Sequence, residues 1–279
     1  MMFLSEDTVE SLLRAIGQQD MVGASLVIAG QFAGIGDVEL HSDKIQQLAL
    51  EACKMIGNDC DEPSRFDQFI DVFYKKFAFS ADETDFFNSR YSLLDQVLDY
   101  RTGIPVTLGI IFCALAKQLG FEVEGINFPG HFLIRFKSHN QVDVFIDPLN
   151  GKPMSKSELE VLYFSIVGET DVDAIPNEVM QAASVEEIVI RLLHNLKASF
   201  IREQNYQKAL GAVEMLINLC PNDPYERRDR GFLLHQLDCP QVAKADYQFF
   251  IKHCPQDPAA QLLKLQMRHW DYQHGLILH

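Results

Sequence analysis

Between Gly103 and Asp147 the apolar positions change their period. Leu108, Ile111, Phe112, Leu115 and Leu119 recur at the three- and four-residue spacing of one helix face, predicting a helix over Pro105–Leu119. Gly120 stands where a helix stop wants positive φ. Beyond it, Val123, Gly125 and Ile126, then His131-Phe132-Leu133-Ile134-Arg135-Phe136, are strand-like, predicting a strand over 121–127 and a hairpin of 130–137 with 142–147 about the loop Ser138-His139-Asn140. Upstream, residues 5–100 read as mostly helical, with Ile45, Leu48, Ala49, Ala52 and Ile56, and then Phe66, Phe69, Ile70 and Phe73, at helical spacing. Breaks are expected near Gly34–Gly36, 57–64 and 79–85, and the run Met21–Ala33 reads as a buried helix. The phenylalanines crowded between 66 and 87 read as core.

Downstream, Ser155–Ile166 reads as a short helix, and the acidic, broken stretch around Glu169, Asp171, Asp173 and Pro176 as a linker. A repeat follows: Leu219-Cys220-Pro221-Asn222-Asp223-Pro224 recurs as His253-Cys254-Pro255-Gln256-Asp257-Pro258, 34 residues on. That is the period of tetratricopeptide helix pairs. Leu193, Leu196, Phe200, Ala209 and Pro221 fit a first such repeat, and Gly231, Leu234, Ala243, Tyr247 and Pro255 a second. Ser184 with Glu187 spells a capping box for the first helix, and a helix from Pro258 to about Tyr272 would cover the open end. Two repeats and a cap are fewer than an independent stack needs, so this unit is expected to lean on what precedes it. Its surface is read either as a site for a protein or peptide partner or as packing that completes the fold.

Composition then narrows the function classes. The chain has 279 residues, 24 Lys and Arg against 39 Asp and Glu, and a net charge of −15. Phosphate backbones and anionic membranes reward clustered basic residues, so no nucleic acid and no membrane is expected as partner. Six cysteines without CxxC spacing argue for reduced thiols and against a zinc site; no metal or cofactor is expected. The opening Met1-Met2-Phe3-Leu4-Ser5-Glu6-Asp7 lacks the basic start of a signal peptide, and Met21–Ala33 is too short to span a bilayer. The expected location is cytoplasmic.

The candidate chemistry sits on the hairpin. Centred on position 139, it would pair residues whose numbers add to 278, which sets His131 opposite Asp147. Their Cβ atoms would then lie about 4.5–5.5 Å apart on one face. A carboxylate there fixes an imidazole tautomer and stabilises its protonated form, as in a nucleophile–His–Asp set. From geometry alone the plainer reading, a polar pair closing a hairpin, is the favoured one.

The residues Gly103-Ile104-Pro105 opening a helix, Pro129-Gly130-His131-Phe132, Phe145-Ile146-Asp147-Pro148, and the run Asn88 to Leu98 leading into Arg101-Thr102-Gly103 resemble the SirB-type branch of the transglutaminase-like superfamily. The resemblance covers most of residues 1–168. It implies an α+β fold: a papain-like core of central helix and small antiparallel sheet, with a helical N-terminal part over 1–100 and the core over 101–168. A linker over 169–183 and an all-α tetratricopeptide-like unit over 184–279 complete the expected organisation. Active members of the superfamily carry a Cys nucleophile at the start of the central helix, with His and Asp on the following strands, and perform acyl transfer or amide hydrolysis.

Here the chain departs from that pattern. Counting back from Gly120, the position of the nucleophile is Pro105. Proline has neither a nucleophilic atom nor the backbone N–H that would help hold an oxyanion, yet it suits the first position of a helix. Thr107, the alternative nucleophile, is expected roughly 200° round the helix and about 3 Å along it, facing away from the pair. Cys113 is about 12 Å along the axis and reads as a buried thiol. Arg101 reads as a surface residue by default. Three functions remain open at this point: a degenerate, non-catalytic protein-binding or scaffold module; a hydrolase or acyl transferase with a displaced nucleophile using His131 and Asp147; and a regulatory protein sensing an anion at the N–H groups of Val106, Thr107 and Leu108.

Overall fold

The computed structural model of the chain describes residues 4–33, 38–57, 61–82, 85, 87–138, 142–168 and 174–277, with backbone alone for 33 and 269–277. The breaks expected at Gly34–Gly36, the hairpin centre His139 and the acidic residues Glu169, Asp171 and Asp173 lie outside them. Twelve α-helices are found among the described residues. Seven precede or flank a four-stranded sheet: α1 (Glu6–Gly17), α2 (Met21–Ala33), α3 (Val38–Met55), α4 (Glu62–Asp71), α5 (Leu94–Tyr100), α6 (Pro105–Gln118) and α7 (Lys156–Val167). The sheet is antiparallel in chain order: β1 (Val123–Ile126), β2 (Leu133–Phe136), β3 (Val144–Ile146), β4 (Pro153–Met154). The remaining helices are α8 (Val185–Arg202), α9 (Tyr206–Leu219), α10 (Pro224–Gln236), α11 (Pro240–His253) and α12 (Pro258–Ile277). By packing, the chain forms two compact units, 6–195 and 196–279 with 1–5.

In the first unit everything surrounds α6. Its sequence shows one apolar stripe, but the structure buries every residue from Pro105 to Cys113, and Leu115 and Ala116 besides. A helix apolar on all sides is a core helix, not a half-exposed one. Its start is set by Pro105 at the first helical position and its end by Gly120 at φ 85°. Phenylalanines from α4 and the strands pack round it: Phe69 lies 4.7 Å from Phe112, and Phe66 stacks on Phe136 at 3.8 Å between ring centroids. Each such pair adds about 0.5–1.5 kcal/mol beyond its buried area. Phe66, Phe69, Phe73, Phe77 and Phe79 are therefore core packing, whereas Phe87 is exposed and Phe86 lies outside the described residues.

Helix α4 begins inside the break expected over 57–64, because Asp61 accepts the Ser64 N–H at 3.0 Å and Pro63 suits the first turn. It runs on into a π-type turn in which the Phe77 N–H reaches the Val72 carbonyl at 2.8 Å. The hairpin register also differs from the expectation. β2 and β3 pair Ile134 with Ile146 and Arg135 with Phe145, so partner numbers add to 280. A slip of two residues leaves every side chain on its own face, so alternation alone cannot detect it. The observed register sets Ile134 opposite Ile146, both buried.

In the second unit the tetratricopeptide pattern is visible in the packing. Ala209, Ala243 and Tyr247 are buried, and a Cβ on Gly231 would come within 2.7 Å of the Tyr247 ring. Buried charge ties the helices: Arg230 on α10 grips Asp246 on α11 through two bonds of 2.7 Å, and Lys197 on α8 meets Glu226 and Asp229 at 2.7 and 2.8 Å. Asp246 and Glu226 are almost wholly buried, where removing one partner of such a pair costs about 3–5 kcal/mol. No helix among the described residues is long and apolar enough to cross a membrane.

Candidate functional site

His131 and Asp147 lie just outside the strands, each on a turn. The Phe128 carbonyl accepts the His131 N–H at 3.1 Å, with Pro129 and Gly130 between them and Gly130 at φ 64°, the pattern of a type II turn. The next residue, Phe132, is fully buried in a slot made by two glycines. A Cβ on Gly109 of α6, or on Gly125 of β1, would come within 2.5 Å of its ring. Gly109 is four residues, about one helical turn, beyond Pro105, so the slot ties the His131 turn to the first turns of α6. Asp147 ends β3 and folds its own turn: its carbonyl accepts the N–H of Gly151 at 2.8 Å, and its side chain accepts that of Leu149 at 2.9 Å.

The two side chains meet. His131 Nε2 and Asp147 Oδ1 are 3.0 Å apart, and both groups are mostly buried. Both lie beyond the paired residues; the observed register carried on to them would make them diagonal rather than directly opposed as expected, a separation side chains still bridge. Because Nε2 faces the carboxylate, Nδ1 is the nitrogen left for another group. Burial alone would raise the Asp147 carboxyl, but bonds from His131 and the Leu149 amide, the charge of His131, and Asn150 outweigh it and hold the pKa below 3.8. A carboxylate lowered in the folded state adds stability that is complete above pH 3.8 and lost as the pH falls through the lower folded value. Asp147→Ala should therefore cost about 1–3 kcal/mol in denaturant melts at neutral pH. The gap from wild type should close as the pH falls below 3.8. A gap that stays constant down to acid unfolding would contradict this ionic role.

The other candidates are placed elsewhere in the chemistry. Pro105 is buried at the first position of α6 and contributes neither donor nor nucleophile. The Thr107 hydroxyl is fully buried; it accepts the Ile104 N–H at 3.0 Å and donates to the Tyr91 carbonyl at 2.8 Å. It thus caps its own helix and pins the segment before it. The Leu108 N–H, expected to be free for an anion, bonds the Ile104 carbonyl at 3.0 Å, because the first intrahelical bond already forms there. Cys113 is buried, and burial pushes its thiol pKa up to about 12, so it holds its proton at neutral pH. Arg101 is not a plain surface residue: it is half-buried, in the left-handed region at φ 60°, with its guanidinium 4.7 Å over the Phe79 ring. Among the described residues no cluster of three or more His, Cys, Asp or Glu could hold a metal ion.

Two residues near the site escaped the sequence reading. Tyr74 donates its hydroxyl to the Pro148 carbonyl at 2.8 Å, and Arg191 donates to the Phe128 carbonyl at 2.9 Å and to the Asn127 side chain. Tyr74 is the one tyrosine among the phenylalanines of 66–87, and Arg191 is the one Lys or Arg in the 40 residues between Lys156 and Lys197. Both oddities were on view; their partners, 74 and 63 residues away in the chain, were not.

A core built round a buried helix, with a bonded His–Asp pair on the turns of its sheet, followed by 34-residue helix pairs, defines a transglutaminase-like domain with tetratricopeptide repeats. The comparisons agree. A model of the transglutaminase-like superfamily matches residues 39–194, and one of the tetratricopeptide repeat matches residues 196–268. A UPF0162 protein of Vibrio cholerae is 37% identical over 236 residues, covering 85% of this chain and 87% of that one. A UPF0162 protein of Haemophilus influenzae is 31% identical over 234 residues, covering 84% and 86%. Protein SirB1 of Salmonella typhimurium is 30% identical over 225 residues, covering 81% and 83%. The chain belongs to the SirB1/UPF0162 family of transglutaminase-like proteins.

Proposed function

We propose that this chain is a non-catalytic transglutaminase-like protein that binds a protein or peptide partner through its repeats, with a transglutaminase-like part over 1–168 and a repeat unit over 184–279. The observation that carries the reading is Pro105. It stands at the expected nucleophile position, buried and without an N–H, while the two nearest substitutes are committed elsewhere, Thr107 as a cap and Cys113 as a buried neutral thiol. The binding half of the reading draws on α10, where Tyr225 and Phe232 are exposed at i and i+7 with Arg228 between them at i+3. Exposed aromatics flanking an arginine are the residue types that dominate binding energy at interfaces. One observation favours a second reading, a hydrolase or acyl transferase with a displaced nucleophile: the bonded His131–Asp147 pair with Nδ1 left over.

The binding reading is tested by capture from an extract of the source cells, comparing wild type with Arg228→Glu/Phe232→Ala. A protein retained by wild type and lost by about tenfold or more with the folded double variant supports it, since hot-spot truncations cost about 2 kcal/mol or more. Equal retention by the two would remove this surface from the account.

A further inference from the structure

The atoms of His131 and Asp147 are held at one remove. His131 rides on the turn closed by its N–H and the Phe128 carbonyl, and that same carbonyl takes a bond of 2.9 Å from Arg191 of α8. A second Arg191 bond fixes the Asn127 side chain, so the guanidinium spans the entry to the turn. The Phe128 ring, fully buried against Tyr163, anchors the same residue. Asp147 is arranged likewise. The peptide that follows it, at Pro148, presents its carbonyl to the Tyr74 hydroxyl at 2.8 Å, and Tyr74 comes from the π-type turn after α4. Such turns are frequent at functional sites. Tyr74 is close enough to the Asp147 carboxylate for that charge to help burial raise the phenol, so the hydroxyl remains a donor at all ordinary pH. Arg191 keeps its charge although burial lowers its pKa.

Each of the two bonds the backbone of a turn that carries one member of the pair. We infer that Tyr74 and Arg191 are positioning residues that set the His131–Asp147 geometry by clamping the Pro148 and Phe128 carbonyls. This rests on reading that pair as the retained site of the fold. It goes further by assigning the support of each half to a residue outside the hairpin. His131 and Asp147 lie beyond the paired strands, so the ladder does not hold them directly, whereas two donors from distant elements hold their turns.

The test uses the full-length chain with Tyr74→Phe, which keeps the ring and removes one bond, and Arg191→Lys, which keeps the charge and loses the fork. Should Arg191→Lys fail to fold, Arg191→Gln retains a donor without burying a charge. Phe69→Leu, a core change away from the turns, is the control for loss of stability alone. The readouts are melting temperature and, by NMR, exchange of the His131 Nε2 proton together with titration of the Asp147 carboxyl. Both positioning variants should speed exchange of that proton by about tenfold or more, the scale of one lost charge-assisted bond. They should also move the Asp147 titration upward toward 3.8, while Phe69→Leu lowers the melting temperature and moves neither. Folded variants with the wild-type proton and titration would overturn the inference. A wild-type chain with no protected Nε2 proton would overturn the reading of the pair itself, and this inference with it.

Discussion

Pro105→Cys is expected to react with iodoacetamide about tenfold faster than the exposed Cys53, and to lose that advantage when His131 is also replaced by Ala. The substitution restores two parts at once. It supplies a thiol at the first position of α6, where the aligned peptide dipoles favour the thiolate, and it returns the backbone N–H that proline lacks. An ordinary thiol is only a few per cent ionised at neutral pH, so a depressed pKa raises the reactive fraction by about tenfold or more. Its lower intrinsic nucleophilicity takes back part of that gain. Cys113 does not compete, since burial keeps it protonated. Pro105 is buried, so the reagent has to be small. A Pro105→Cys thiol no faster than Cys53, in a folded chain, would show that the pair does not serve a thiol at the head of α6.

Phe132→Ala is expected to cost about 3–5 kcal/mol in chemical denaturation, the largest stability effect of any single change near the site. The ring fills the slot between Gly109 and Gly125, and neither glycine can grow to close the gap without backbone movement. The reverse substitutions, Gly109→Ala and Gly125→Ala, put a methyl within 2.5 Å of the ring, and overpacking of that kind costs about 1–3 kcal/mol. Gly109→Ala combined with Phe132→Leu should be milder than the two single changes added together, because the smaller side chain makes room for the methyl. Additivity of the two would mean the slot is not the contact that ties the His131 turn to α6.

Where local chemistry decides structure, the sequence announced it. Pro105 and Gly120 bracket the central helix, the Ser184–Glu187 box starts α8 as a set of real bonds, and the 34-residue echo of Cys-Pro sets the helix pairs of the second unit. The features that escaped depend on contacts distant in the chain. The two-residue slip in the hairpin preserves every face and sets Ile134 opposite Ile146. The one-sided stripe of α6 understated its burial, because the phenylalanines that cover the other sides come from α4 and the strands. The capping bonds of Thr107 run to Tyr91, and the clamps of Tyr74 and Arg191 reach across more than sixty residues, so no periodicity could reveal them.

The proposal that no nucleophile serves His131 and Asp147 is the centre of the account, and one assay addresses it directly. Purified full-length wild-type chain is incubated with a glutamine-containing peptide and a fluorescent primary amine, and separately with a chromogenic amide, alongside His131→Ala. The account predicts no turnover by wild type above the His131→Ala background with either substrate. Turnover abolished by His131→Ala would contradict it, and its further loss in Thr107→Ala would identify a hydroxyl as the displaced nucleophile.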